Sequence, residues 1–208
     1  MTIDLPADLK LPLQSGAPYW YWLGNRLAVD FVNTMRERWW RRVECLCSPE
    51  DLATWLDRAG VCPTGVITGP QTLRAARRLR EAINLAICAQ IEERSVPESA
   101  VNEIDRWLRY APVPMGLGTD GRRLKLQPQE PQANRVRHAL ALVALDAARM
   151  LGTEERTRVR ICASATCSAR FFDRSRAGNG RWCTMSGCGN REKARRHRSL
   201  TNTSERST

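Results

Sequence analysis

The chain has 208 residues, 26% of them charged, and a formal net charge of +11. That length has room for one domain of ordinary size plus a small module. No apolar run reaches the roughly 20 residues a membrane span needs, and the first residues, with Asp4, Asp8 and several prolines, lack the basic start and apolar core of a signal peptide. No membrane contact is therefore expected, and the expected setting is cytoplasmic and reducing, where paired cysteines bind metal more often than they cross-link.

In chain order, residues 1–18 read as a loose lead-in. Leu27-Ala28-Val29-Asp30-Phe31-Val32-Asn33-Thr34 reads as a helix with Leu27, Phe31 and Met35 inward. Asp30, Asn33 and Thr34 then project from one face at three- and four-residue spacing, with Arg26 one turn earlier in reach of Asp30. Two readings of this set stay open. One is a polar pocket that holds a small-molecule effector; the other is a hydrogen-bonded set that fastens loops to the helices, because Asp and Asn satisfy nearby backbone donors readily. Trp39-Trp40 follows between Arg36, Arg38, Arg41 and Arg42. At helical spacing one ring would be core and the other exposed; stacking on bases and a dimer or ligand surface are readings of the exposed ring, and ordinary packing is the plainer one. Cys45-x-Cys47 lies beside the same arginines, surroundings that lower a thiol pKa and suit a redox sensor. Ordinary half-buried cysteines are the plainer reading.

The next segments are helical. Ser48-Pro49-Glu50-Asp51 has a capping residue, a proline for the first turn and a carboxylate that reaches back. Leu52, Trp55, Leu56 and Ala59 form an apolar face that Gly60 ends. Pro70 opens a longer helix with Ala76, Leu79, Ile83, Ile87 and Ile91 in period, and Pro97 opens another with Val101, Ile104 and Leu108 inward. Asp120-Gly121 is a favoured two-residue turn; it sets Leu117 opposite Leu124 and Met115 opposite Leu126, an apolar face to lay on the helices. The last large helix, roughly 131–151, is the most apolar, with Val136, Leu140, Val143, Ala147 and Leu151. Thr153 to Arg160 is a charged connection.

Beyond it, Cys162, Cys167, Cys183 and Cys188 stand as two C-x4-C pairs. Two spaced pairs on tight turns supply the four soft ligands of a structural zinc site, and so short a segment needs one Zn2+ to order it. Gly178-Asn179-Gly180 reads as the turn of a short hairpin, with Phe171 or Phe172 and Trp182 clustered beside the metal. Asn190 reads as the cap of a helix that starts beside the last ligand. Knuckle, hairpin, knuckle, helix is a treble-clef-like order. Ala194 is the only apolar residue inside that helix, so it has almost no face to bury. Arg191, Arg195 and Arg198 fall on one stripe, with Lys193 and Arg196 close by, a pattern suited to DNA phosphates.

Charge is segregated to match. From Arg156 onward there are 13 basic and 3 acidic residues, so nearly all of the +11 lies in this segment. Such asymmetry marks a polyanion binder. Only three of the 33 basic residues are lysine, a bias that accounts for arginine over lysine but not for the segregation.

Cys188-Gly189-Asn190-Arg191 after paired cysteines resembles the CGNR zinc finger, and Leu27 to Thr34 resembles the L-x-x-D-F-x-N-T signature of the helical ABATE domain that precedes it in that family. The resemblance covers about Gly24 to Arg198. It implies a bacterial stress-induced transcription regulator, with Cys162, Cys167, Cys183 and Cys188 as zinc ligands and Asp30 and Asn33 as signature positions.

The expectation is thus a mainly α chain with one small β-hairpin and a four-cysteine, treble-clef-like zinc finger. The lead-in gives way to a helical domain over 19–155, a finger over 156–198 and a disordered tail over 199–208. The expected partner is DNA, with the helical domain as sensor or scaffold; a small-molecule effector and a homodimer are open expectations, the second because one finger reads few base pairs. Catalysis is not expected, with His138 and His197 the only histidines and a closed metal shell. An RNA- or ribosome-associated zinc protein is the alternative, and an enzyme built on Asp30 and Asn33 is a further one.

Overall fold

The computed structural model describes residues 20–39, 41–111, 115–120, 123–128 and 135–205. In chain order these form α1 (Leu27–Val32), β1 (Met35–Arg36), β2 (Val43–Glu44), α2 (Pro49–Arg58), α3 (Pro70–Ile91), α4 (Glu98–Leu108), β3 (Met115–Asp120), β4 (Arg123–Pro128), α5 (Arg135–Leu151), β5 (Val159–Ile161), β6 (Arg170–Phe172) and α6 (Asn190–Glu205). The strands pair as antiparallel hairpins, β1 with β2, β3 with β4 and β5 with β6. The chain is mainly α with small hairpins; β1–β2 is not announced by the sequence, and β5–β6 takes the place of the finger hairpin expected around Gly178-Asn179-Gly180.

Two compact units result. Leu46–Glu154 makes a helical unit, while the described parts of Ile3–Cys45 and Glu155–Thr208 make a finger unit. A boundary drawn along the chain at residue 155 assigns α1, β1 and β2 to the helices. In the fold these elements belong with the C-terminal segment, and α1 packs on β6.

In the helical unit, Ser48 accepts from the backbone N–H of Asp51 while the Asp51 carboxylate accepts from that of Ser48, a complete capping box at the start of α2. Leu52, Trp55 and Leu56 are fully buried, and Gly60 follows at φ +71°, a left-handed conformation that only glycine adopts without strain. α3 presents Ala76, Leu79, Ile83 and Ile87 to the core, and α5 presents Val136, Leu140, Val143 and Ala147. α3 packs on α4 and α5, α4 on α5, and α2 against α3 and α5.

Two details differ from the sequence pattern. The buried stripe of α4 runs through Ala100, Ile104 and Trp107, leaving Val101 about half exposed. Both stripes have helical spacing, and the tryptophan, with the largest apolar area, decides which one turns inward. The register of the β3–β4 hairpin is shifted by two residues from the expected one: Leu117 faces Leu126 rather than Leu124, Thr119 faces Leu124, and the last described pair before the turn is Asp120 with Arg123. Leu117 and Leu124 are exposed, so the expected apolar face is not laid on the helices at those positions.

In the finger unit, the polar N-terminal signature acts as a set of fasteners. Gly24 donates its backbone N–H to Asp30 Oδ1 at 2.7 Å, and its carbonyl accepts from the backbone N–H of Phe172 at 2.7 Å. A Cβ on Gly24 would lie 2.7 Å from the Asp30 nitrogen, so this approach is open to glycine alone. Asn33 clasps β6 from both sides: its Nδ2 donates to the Arg170 carbonyl at 2.8 Å and its Oδ1 accepts the Arg170 backbone N–H at 2.9 Å. Thr34 Oγ1 donates to the Phe31 carbonyl, and Arg26 pairs with Glu155 at 2.7 Å. The helix of this signature ends at Val32, with Met35 already in β1.

The segment after it is a hairpin rather than a continued helix. Met35 faces Glu44, Arg36 faces Val43, and the tip is closed by Arg42 donating to the Glu37 carbonyl. Trp39 is exposed on that tip, and Trp40 lies outside the described residues. Cys45 is fully buried with its backbone N–H on the Thr34 carbonyl, and burial pushes the Cys62 thiol up.

Candidate metal centre and nucleic-acid interface

β5 and β6 flank the first cysteine pair, with Ile161 opposite Arg170 and Val159 opposite Phe172. The knuckle carrying Cys162 and Cys167 is therefore the loop of this hairpin. The turn through Gly178 closes a different, irregular excursion, in which Asp173 accepts from the backbone N–H groups of Ser175 and Gly180. Burial raises the Asp173 carboxyl, but those two donors and the Arg158 charge outweigh it and hold it below the usual range. Ala163 donates to the Arg181 carbonyl and so ties the two knuckles together. Phe171 is buried, while Trp182 is half-buried with the Arg181 guanidinium 5.1 Å from its ring centre.

The second knuckle leads into α6 by a wide turn of π type, Met185–Gly189. Thr184 caps it, its Oγ1 accepting from the Gly187 backbone N–H at 3.1 Å. Asn190, the expected cap, has helical dihedrals and sits inside the first turn. Both residues cap well; Thr184, next to Cys183, is the one whose turn brings Cys188 back to within 3.7 Å of the Cys183 sulfur.

The sulfurs of Cys162, Cys167, Cys183 and Cys188 all lie within 4.8 Å of one another. Cys167 and Cys183 are 3.9 Å apart. A tetrahedral zinc with bonds of about 2.3 Å sets its sulfurs about 3.8 Å apart, close to the 3.7 Å and 3.9 Å seen for two of the pairs, so the cluster suits the ion. Charge requires it as well. Thiols of Cys167, Cys183 and Cys188 donate to Cys162 and hold it well below the usual thiol range, and the same proton sharing pushes Cys167 and Cys183 up. Four thiolates cannot coexist at this spacing without a cation between them. Backbone N–H groups of Cys183 and Ala169 point at the Cys162 and Cys167 sulfurs and offset part of the charge.

A model of the CGNR zinc finger matches residues 158–199, and one of ABATE, described as "Putative stress-induced transcription regulator", matches residues 25–154. The second covers more than half of the chain. The chain belongs to the ABATE family. Its CGNR finger carries the four cysteines in an arrangement that fits one structural zinc. No curated protein matches the chain. The ABATE match begins inside the finger unit, because residues 25–45 pack there.

Within the CGNR motif each residue has a distinct setting. Cys188 is in the cluster, Gly189 is buried against Met185, Asn190 Nδ2 donates to the Ser186 carbonyl, and Arg191 donates to Thr166 Oγ1 at 3.1 Å. Downstream, Arg191, Lys193, Arg195, Arg196 and Arg198 are all exposed on α6, as is Ala194. Glu192 is the acid among them: Arg195, then Ser164 Oγ, hold its carboxyl below the usual range. The helix continues to Glu205, so residues 199–205 extend α6 where a disordered tail was expected. No helix among the described residues is long and apolar enough to cross a membrane.

Proposed function

We propose that this ABATE-family chain is a non-catalytic transcription regulator that grips duplex DNA with the basic face of α6. The observation that carries this reading is a helix with no apolar face to bury, anchored at its first turn by Cys188 and offering Arg191, Lys193, Arg195, Arg196 and Arg198 to solvent. Exposed ion pairs are weak, so the Arg195–Glu192 pair yields readily to a phosphate. Segregation of nearly the whole net charge into this part of the chain gives the long-range attraction.

Cys162, Cys167, Cys183 and Cys188 would hold one zinc, which when bound ties the two knuckles into a base for α6. A four-thiolate shell leaves no position for a reacting water, in keeping with a structural role. Arg195 and Arg198 lie on the stripe of Arg191 and share its approach to the DNA backbone.

A salt titration of duplex binding tests this. Arg191, Arg195 and Arg198 replaced together by Ala should weaken binding and flatten the slope of log affinity against log salt by about 3. An unchanged slope would remove α6 from the interface. Preference for an A-form RNA duplex over DNA at equal salt would move the reading to RNA.

A further inference from the structure

The finger unit contains a cavity of about 380 Å³ beside the cysteine cluster. Its wall joins segments from both ends of the chain: Tyr21 and Leu23 ahead of α1, Met35 and Arg36 of β1, Ala169 next to β6, and Arg191 of α6. Asn33 of the N-terminal signature also lines it. The signature segment and the CGNR motif therefore meet at one space, although the fastening role of Asn33 and the metal role of Cys188 require no space there.

The chemistry of the wall narrows the occupant. Leu23, Met35, Ala169 and the Tyr21 ring are apolar. The polar groups beside them are mostly donors. Arg36 is buried, lies 3.9 Å from the Tyr21 ring centre and donates to the Tyr21 hydroxyl oxygen. That bond uses the phenol as acceptor and leaves its own O–H to donate. Arg191 spends one N–H group on Thr166, of the five a guanidinium carries. Arg41 is paired with Glu37 and adds little net charge. An occupant must therefore bring acceptors. The sulfurs of Cys167, Cys183 and Cys188 border the same space and oppose multiple negative charge. At about 30 Å³ per water-sized group, the cavity has room for roughly a dozen heavy atoms.

We infer that this cavity binds a small monoanion with an apolar body, a carboxylate on an aromatic or short aliphatic group, and that its occupancy weakens DNA binding by engaging Arg191. The regulatory half rests on the proposed role of α6; the binding half does not. Arg191 lines the cavity, is exposed and starts the basic stripe, so a carboxylate and a phosphate compete for it.

Calorimetric titration of the zinc-loaded full chain with benzoate, benzamide and pyrophosphate tests the binding half. Benzoate should bind with a dissociation constant on the order of 1 mM or tighter. Benzamide, with the same body and no charge, should bind at least about tenfold more weakly, and pyrophosphate should not bind. Leu23→Trp, which fills the cavity, should abolish benzoate binding with zinc content unchanged. Because a filling substitution can disturb folding, Arg36→Met is the second variant, and it too should lose benzoate. Absence of saturable benzoate binding to the parent chain, binding that survives in either zinc-loaded variant, or preference for pyrophosphate would overturn the site. In the DNA titration, saturating benzoate should lower affinity about fivefold or more, within the usual range of allosteric coupling. Unchanged affinity would overturn the regulatory half. Failure of the chain to bind any duplex would overturn the role of α6 while the calorimetry still decides the cavity.

Discussion

The helical unit is ordered by hydrocarbon, with Leu79, Ile83 and Ile87 of α3 and Leu140 and Val143 of α5 fully buried. The finger unit buries Asn33, Thr34, Arg36, Arg170 and Asp173 alongside a few apolar residues and the cysteine cluster. Apolar packing is additive and forgiving, since one residue shares its burial with many neighbours. Directional contacts and metal ligands are specific and brittle, because each buried polar atom has one or two partners and no substitute. The helical unit should therefore lose stability in increments and the finger unit in one step.

The largest effect should come from Cys183→Ser. Removing one thiolate should strip the metal and with it the roughly 10–16 kcal/mol that zinc contributes to small modules, unfolding the finger unit. The helical unit should keep its α-helical circular dichroism. Zinc content by mass spectrometry and protection from protease read the two units separately; loss of both together would mean that the units are one cooperative block. Next is Ile83→Ala in α3, which should destabilise the helical unit by about 2–5 kcal/mol while zinc stays bound. Zinc loss in that variant would again collapse the distinction.

Asn33→Leu sharpens the comparison from the polar side. It removes both bonds to β6 and leaves a backbone N–H and a carbonyl of Arg170 without that partner, at about 1–3 kcal/mol for each group. Hydrogen exchange should rise at β6 more than anywhere in α3. The smallest effect should be Ser48→Ala, which breaks the capping box of α2 and lowers the thermal midpoint of the helical unit by about 1 kcal/mol worth of stability. A penalty as large as that of Ile83→Ala would mean that α2 is held by its cap rather than by Trp55.

What could be read along the chain was what local chemistry decides. Ser48-Pro49, Pro70 and the period of Leu79, Ile83 and Ile87 announce their helices because caps and apolar spacing act within a few residues. The cysteine spacing announces its metal for the same reason. Choices between locally equivalent options were not legible: Thr184 over Asn190 as cap, Ala100 and Trp107 over Val101 as the inner face, and Leu126 over Leu124 as the partner of Leu117. Each is decided by partners outside the segment. Least legible was the clasp of Asn33 on Arg170, two residues 137 positions apart. Nothing near Asn33 says whether its amide closes on backbone or on a ligand, and Leu27 to Thr34 reads as one helix until its partner strand is known.

Because α1 packs on β6, the finger unit is closed by the first and last parts of the described chain. At roughly 5–20 residues per second of synthesis, the intervening segment of roughly a hundred residues takes about 5–20 s to emerge. During that interval the helical unit has all of its own sequence available and can fold. Residues 20–45 must wait, with Phe31 and Val32 lacking their strand. A nascent chain thus cannot complete its four-cysteine site until Cys188 has been made, and a product that stops before Cys162 has none of its ligands.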